Sequence, residues 1–199
     1  SRFTRILSNN SLTWLTPIEN LSFTSRVSID YQVYNYKTYN NRVIGDGSDT
    51  DGYGYESSRN TATYVFQNSL DYLLNFDNHN FTFKALQEFQ KYNRRFIEAE
   101  GDNFVTDGLT NLASSGNPTA VGSEFTDWAV ASYMGTVSYN YDNRYVVNGT
   151  YRREANSRFA SQNRWGNFWS VGAAWNLHRE AFGQESEFLN NLKLRASYG

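Results

Sequence analysis

The feature that most constrains this chain is alternation. Between Arg144 and Trp175 it reads RYVVNGTYRREANSRFASQNRWGNFWSVGAAW, two alternating runs joined by a polar, arginine-rich connection. In the first run Tyr145, Val147, Gly149 and Tyr151 share one face, and Val146, Asn148, Thr150 and Arg152 the other. In the second, Trp169, Val171, Ala173 and Trp175 face one way, and Phe168, Ser170, Gly172, Ala174 and Asn176 the other. Side chains on a strand alternate with period two, so each run reads as a strand with one apolar face ending in aromatics and one polar or small face. A barrel strand between lipid and a wet lumen has this pattern, and so do half-buried strands of a soluble sheet.

Composition bears on that choice. Aromatics make up 17% of the 199 residues, yet mean hydropathy is -0.67. Two faces of opposite character cancel along the sequence and produce that combination. No apolar run is long enough for a transmembrane helix, which leaves a membrane barrel open. There is no cysteine, so disulfides, thiolate metal sites and a cysteine nucleophile are excluded. The net charge of -2 lacks the basic field of a nucleic-acid binder, and no nucleic-acid partner is expected. Ser1 is not an initiator methionine and no signal peptide is visible, so an excised segment or a mature product is expected.

Taken in order, strands are expected at Ser11–Leu15, from Leu21 to Val33, from Ala62 to Phe76 and from Phe81 to Phe89. Further strands are expected from Ala129 to Tyr141, over the two runs above, and from Leu192 onward. Turns fall at residues 16–20, at Asp77–Asn80 and at Asp142-Asn143, a two-residue hairpin signal. Long polar connections are expected at 37–60, 93–126 and 154–167, and a short helix around Ser186–Asn190. The fold class is therefore all-β: an antiparallel transmembrane β-barrel segment of about eight up-and-down strands. Short turns lie on the periplasmic side and long loops on the extracellular side.

From Arg152 to Gly199 the chain resembles the SusC/RagA family of TonB-dependent outer-membrane transporters. The residues that carry the resemblance are Arg152, Ser157-Arg158-Phe159, Asn163-Arg164-Trp165-Gly166, Phe168, Ser170-Val171-Gly172 and Trp175. They continue through Glu180 and Phe182 to Leu192-Lys193-Leu194-Arg195-Ala196-Ser197-Tyr198-Gly199. Phe168-Trp169 departs from the family pattern, where many members have proline after the phenylalanine. The resemblance implies that residues 1–199 are part of a barrel of about 22 strands whose plug and TonB-contacting segment lie outside this sequence. It implies a multi-pass protein of the bacterial outer membrane, in contact with its lipid, of a Bacteroidetes-type system. Its function would be import of a bulky nutrient, an oligosaccharide before a peptide, with a SusD-like surface lipoprotein as lid and energy from TonB, ExbB and ExbD. The rival reading is a small closed outer-membrane barrel with a structural or adhesion role.

Candidate substrate or partner contacts are Tyr53, Tyr55, Glu100, Asp102, Asn103, Arg158, Arg164 and Trp165, all expected in or beside the long loops. Loop tyrosines can stack on sugar rings. The blander reading of Arg158, Arg164 and Trp165 is structural: the arginines pair with loop carboxylates and the tryptophan sits in the interfacial aromatic belt. Arg26, Asp30, Gln67, Asp71, Lys84, Glu88, Asn148 and Arg152 are expected to face the lumen and hold the plug through paired or wet polar contacts. Asp46, Asp49 and Asp51 lack the spaced bidentate glutamate of a calcium loop, and no metal or cofactor is expected. His79 and His178, the only histidines, fall in expected turns away from the long loops; no catalytic residue and no enzyme activity are expected.

Overall fold

The computed structural model describes residues 1–184 and 191–199. Eight strands follow one another: β1 (Arg2–Leu15), β2 (Leu21–Asn40), β3 (Tyr53–Phe76), β4 (His79–Phe104), β5 (Ser115–Tyr141), β6 (Tyr145–Asn156), β7 (Trp165–Asn176) and β8 (Lys193–Tyr198). They pair in chain order in one open sheet with β1 and β8 at its edges, the expected up-and-down arrangement. A single helical turn, α1 (Ala181–Gln184), precedes the undescribed residues. The helix expected around Ser186–Asn190 lies outside the described residues.

The chain divides into two compact units. The first gathers Ser1–Ser8, Ser28–Tyr64 and Lys91–Trp128; the second gathers Asn9–Val27, Val65–Gln90 and Ala129–Gly199. Neither has the core of a soluble domain. Among the described residues only Ala62, Phe104 and Ala155 are buried apolar side chains. A soluble chain of about 200 residues buries about 70% of its unfolded surface around such a core.

In the second unit the faces of β5, β6 and β7 are those expected. The register places Tyr141 beside Tyr145 and Tyr145 beside Trp175. Successive rows on that face are Tyr139–Val147–Ala173, Val137–Gly149–Val171 and Gly135–Tyr151–Trp169. Leu194, Ala196 and Tyr198 of β8 extend three of these rows. The apolar rows end at Tyr133–Arg153–Asn167. From Tyr145 to Arg153 the strand rises roughly 26 Å, or about 20 Å if tilted by about 40°, which matches an outer-membrane apolar band of about 25 Å. The opposite face carries Thr136–Thr150–Ser170 and Ser138–Asn148–Gly172–Ser197. Aromatic rings crowd the turn border of the band: Phe81 and Tyr139 lie 4.7 Å apart, and Tyr145 stacks on Trp175 at 6.1 Å.

Several boundaries differ from expectation. β1 starts at Arg2 rather than Ser11, and the long connections shrink to 41–52, 105–114 and 157–164. β3, β4 and β5 are 24, 26 and 27 residues long, whereas a tilted membrane strand needs about 9–11. The remainder continues past the length such a strand needs. There the backbone ladder persists while hydrophobic alternation vanishes, so polar sequence reads wrongly as loop. His79 opens β4 instead of sitting in a turn. Three residues, Asp142–Arg144, separate the paired Tyr141 and Tyr145, so the hairpin connection is one residue longer than expected. Asp142 and Asn143 still take the left-handed conformation (φ 48° and 53°) that their side chains tolerate.

Candidate functional site

The first unit holds a polar face built from β2, β3 and β4. The Tyr55 hydroxyl donates to Glu98 Oε2 at 2.6 Å, and the Tyr53 hydroxyl donates to Glu100 Oε2 at 2.6 Å. Tyr36 lies against Tyr55, ring centroids 5.9 Å apart. Gly122 of β5 makes room for this row, since a Cβ there would come within 2.9 Å of Glu98 Oε1. Nearby on β4 and β5, Arg94 pairs with Glu124 at 3.2 Å and Tyr92 stacks on Trp128 at 5.3 Å. Each phenol donates its proton to a carboxylate, which fixes the carboxylate and leaves its other oxygen to accept. Half-exposed rings beside oriented carboxylates suit a polyhydroxylated ligand, whose apolar faces stack and whose hydroxyls donate.

What holds these strand ends is a small hub around Phe104, which is fully buried. Tyr39 meets its ring edge-on at 5.1 Å. Gly54 allows the approach, because a Cβ there would lie 2.8 Å from the Phe104 ring. Asp107 ties the connections together: its Oδ1 accepts the Arg42 backbone N–H at 3.0 Å and the Tyr39 hydroxyl at 2.7 Å. Those bonds, the Arg42 one foremost, hold the Asp107 carboxyl below the ordinary aspartate range. Lys37 bridges to Glu56 at 2.8 Å and donates to Asn111 at 3.0 Å.

Thus Tyr53, Tyr55 and Glu100 come together, but on strands rather than in the expected loops. Asp102 and Asn103 are also on β4. Asp102 accepts from Asn117 Nδ2 at 2.8 Å, and Asn103 adopts φ 58°. Arg158 and Arg164 lie in the 157–164 connection as expected, whereas Trp165 is the first residue of β7. Trp165 stacks on Tyr133 at 6.2 Å beneath the Arg153 guanidinium, a belt position. Sequence reasoning missed Tyr36 and Arg153, and took Glu98 only as part of an acidic loop. Glu98 and Glu100, spaced by two, offered a signal, because they share a face as Tyr53 and Tyr55 do.

Of the residues expected on the lumenal face, four form cross-strand pairs in the second unit: Lys84 with Asp71 at 2.9 Å, and Gln67 with Glu88. Asn148 lies against Gly172, and Arg152 pairs with Glu154. In the first unit Asp30 receives Arg5 through two bonds, at 2.9 and 2.8 Å. Arg26 is exposed on β2. Among the described residues no group of three carboxylates or histidines converges as a metal site.

No family model matches the sequence. Over 145 residues it is 32% identical to TonB-dependent receptor P26 of Formosa agariphila, covering 70% of this chain and 14% of that protein. Over 164 residues it is 30% identical to TonB-dependent receptor SusC of Bacteroides thetaiotaomicron, covering 81% and 15%. The fold superposes on the structure of the RagAB peptide transporter with a TM-score of 0.85 at 24% identity, covering 97% of this chain and 23% of the other. The chain spans about 14–15% of the length of these curated relatives. Fold and likeness together define the wall of an outer-membrane-type up-and-down β-barrel. Within that class, the chain belongs to the SusC/RagA type of TonB-dependent receptors.

Proposed function

We propose that residues 1–199 are part of the barrel domain of an importer that carries a bulky nutrient across a bacterial outer membrane, and that the nutrient is an oligosaccharide. The observation that carries the substrate class is the row of Tyr36, Tyr53 and Tyr55 beside Glu98 and Glu100. A SusD-like lipoprotein closes over the substrate, and TonB, ExbB and ExbD supply energy through parts outside this sequence. Arg26, Asp30, Gln67, Asp71, Lys84, Glu88, Asn148 and Arg152 face the lumen and meet the plug. Asp102, Asn103, Arg158 and Arg164 contribute to substrate or lid contact.

A peptide is the second reading, favoured by the superposition on RagAB, a peptide transporter. Titration calorimetry of the full-length protein with soluble oligosaccharides and with mixed short peptides separates the two. Oligosaccharide affinity is expected to fall about 10- to 100-fold in Glu98→Gln, the range for a hydrogen bond to a charged group. Binding of peptides alone overturns the substrate class. The rival small closed barrel predicts a native mass near 22.9 kDa, and the importer a mass several times larger.

A further inference from the structure

The second unit carries a groove that the import reading does not use. It lies on the face of the apolar band, at the border marked by Arg153. Tyr133, Tyr151 and Trp165, with the small residues Ala85 and Gly135, line a depression of about 870 Å³. That volume lies in the range of ligand sites, about 300–1,000 Å³. The depression exists because small residues sit among large rings. A Cβ added at Gly135 would meet nothing within 4 Å, so neither backbone strain nor close packing requires glycine there.

Two polar features interrupt this apolar wall. Asn68 Nδ2 donates to Gln87 Oε1 at 3.3 Å, and both residues line the groove. The bond leaves Asn68 Oδ1 and the Gln87 amide without a protein partner among the described residues. In hydrocarbon an unsatisfied polar group costs several kcal/mol, so such a pair fits a site that receives polar ligand atoms. Arg153 lies over Trp165, 4.8 Å from the ring centroid, and also lines the groove. Arg5, Arg94, Arg144 and Arg152 all pair with carboxylates, whereas Arg153 has no carboxylate partner among the described residues. An uncompensated cation at the edge of an apolar band complements an anionic headgroup whose chains lie along the band.

We propose that this groove binds a phosphorylated glycolipid of the outer leaflet. Arg153 meets the phosphate, Asn68 and Gln87 meet sugar or amide groups, and an acyl chain lies over Ala85 and Gly135. The outer leaflet follows from the expectation that the long connections lie outside: 157–164 borders this edge of the band, while three of the four connections at the other edge, 16–20, 77–78 and 142–144, are short and 177–192 is longer. The inference rests on the outer-membrane reading.

The test is native mass spectrometry of the full-length protein extracted from outer membranes in mild detergent, comparing wild type, Arg153→Gln and Gly135→Leu. Leucine fills the groove without moving the backbone. Wild type is expected to retain phosphorylated glycolipid, with occupancy about fivefold lower in Arg153→Gln, as for loss of one basic residue near an anionic surface. Gly135→Leu is expected to lose it with Arg153 intact. Equal retention in all three forms overturns the site but leaves the importer standing, as does retention of phospholipid alone. Absence of the protein from the outer-membrane fraction overturns both.

Discussion

The Tyr145 hydroxyl donates to the Glu180 carboxylate at 2.7 Å, fastening the segment after β7 to the start of β6. Glu180 also accepts from the Trp175 indole at 2.9 Å and from Arg144 at 3.3 Å. Arg144 in turn pairs with Asp142 in the hairpin connection. Glu180 is thereby held below the ordinary glutamate range, first by Tyr145 and then by Trp175. One carboxylate thus links a hairpin, an aromatic border and a connecting segment. Replacing Glu180 with alanine leaves three donors without an acceptor. We expect limited trypsin digestion of the purified full-length protein to cut after Arg179 several-fold faster in Glu180→Ala. An unchanged cleavage rate would mean the link holds nothing in place.

Phe104 is the one fully buried large side chain among the described residues, and it organises the connections of the first unit. Truncation to alanine removes its contact with Tyr39 and opens a cavity beside Gly54. Such truncations cost about 3–5 kcal/mol. The loss should appear locally, as faster amide exchange over 41–52 and 105–114, with exchange in β6 and β7 unchanged. Uniformly faster exchange would contradict a local hub.

Asp107 makes that hub pH-dependent. Its folded pKa lies below its unfolded value, so its bonds to Arg42 and Tyr39 stabilise the folded form at neutral pH. The contribution is complete above the ordinary aspartate value of about 3.9 and is lost as pH falls through the lower folded value. Amide exchange at Arg42, corrected for intrinsic rate, should therefore stay flat down to about pH 4 and then rise. Asp107→Asn should be fast already at neutral pH and lack the acid step. An identical acid step in that variant would place the titrating group elsewhere.

How much of the fold is legible in the sequence depends on solvent contrast. The strands from Tyr145 and to Trp175 stand out because one face is apolar and the other is not. Residues 53–60, 94–104 and 115–125 read as loop because neither of their faces is consistently apolar, and alternation then carries no hydrophobic signal. The meeting of Tyr53 and Tyr55 with Glu98 and Glu100 is out of reach for another reason. Cross-strand neighbours depend on register over strands of 24 and 26 residues, and one residue of slip exchanges the faces. Arg153 is hidden inside the run RRE, where sequence alone assigns no carboxylate to one arginine over the other.

The assignment of faces makes a sharp contrast between two adjacent residues of β7. Val171 lies in the middle row of the apolar band, between Gly149 and Tyr198. Ser170 points the other way, opposite Thr150. Arginine at the midplane of a lipid face costs about 2–4 kcal/mol, while lumenal substitutions are far milder. Val171→Arg should therefore reduce stability in lipid vesicles by about that amount in denaturant titrations, and Ser170→Arg by much less. The two variants add the same charge at neighbouring positions of one strand, so a general effect of charge or bulk would move both alike. Equal losses would mean that β7 does not separate lipid from water, and the reading of this sheet as a membrane wall would fall with it.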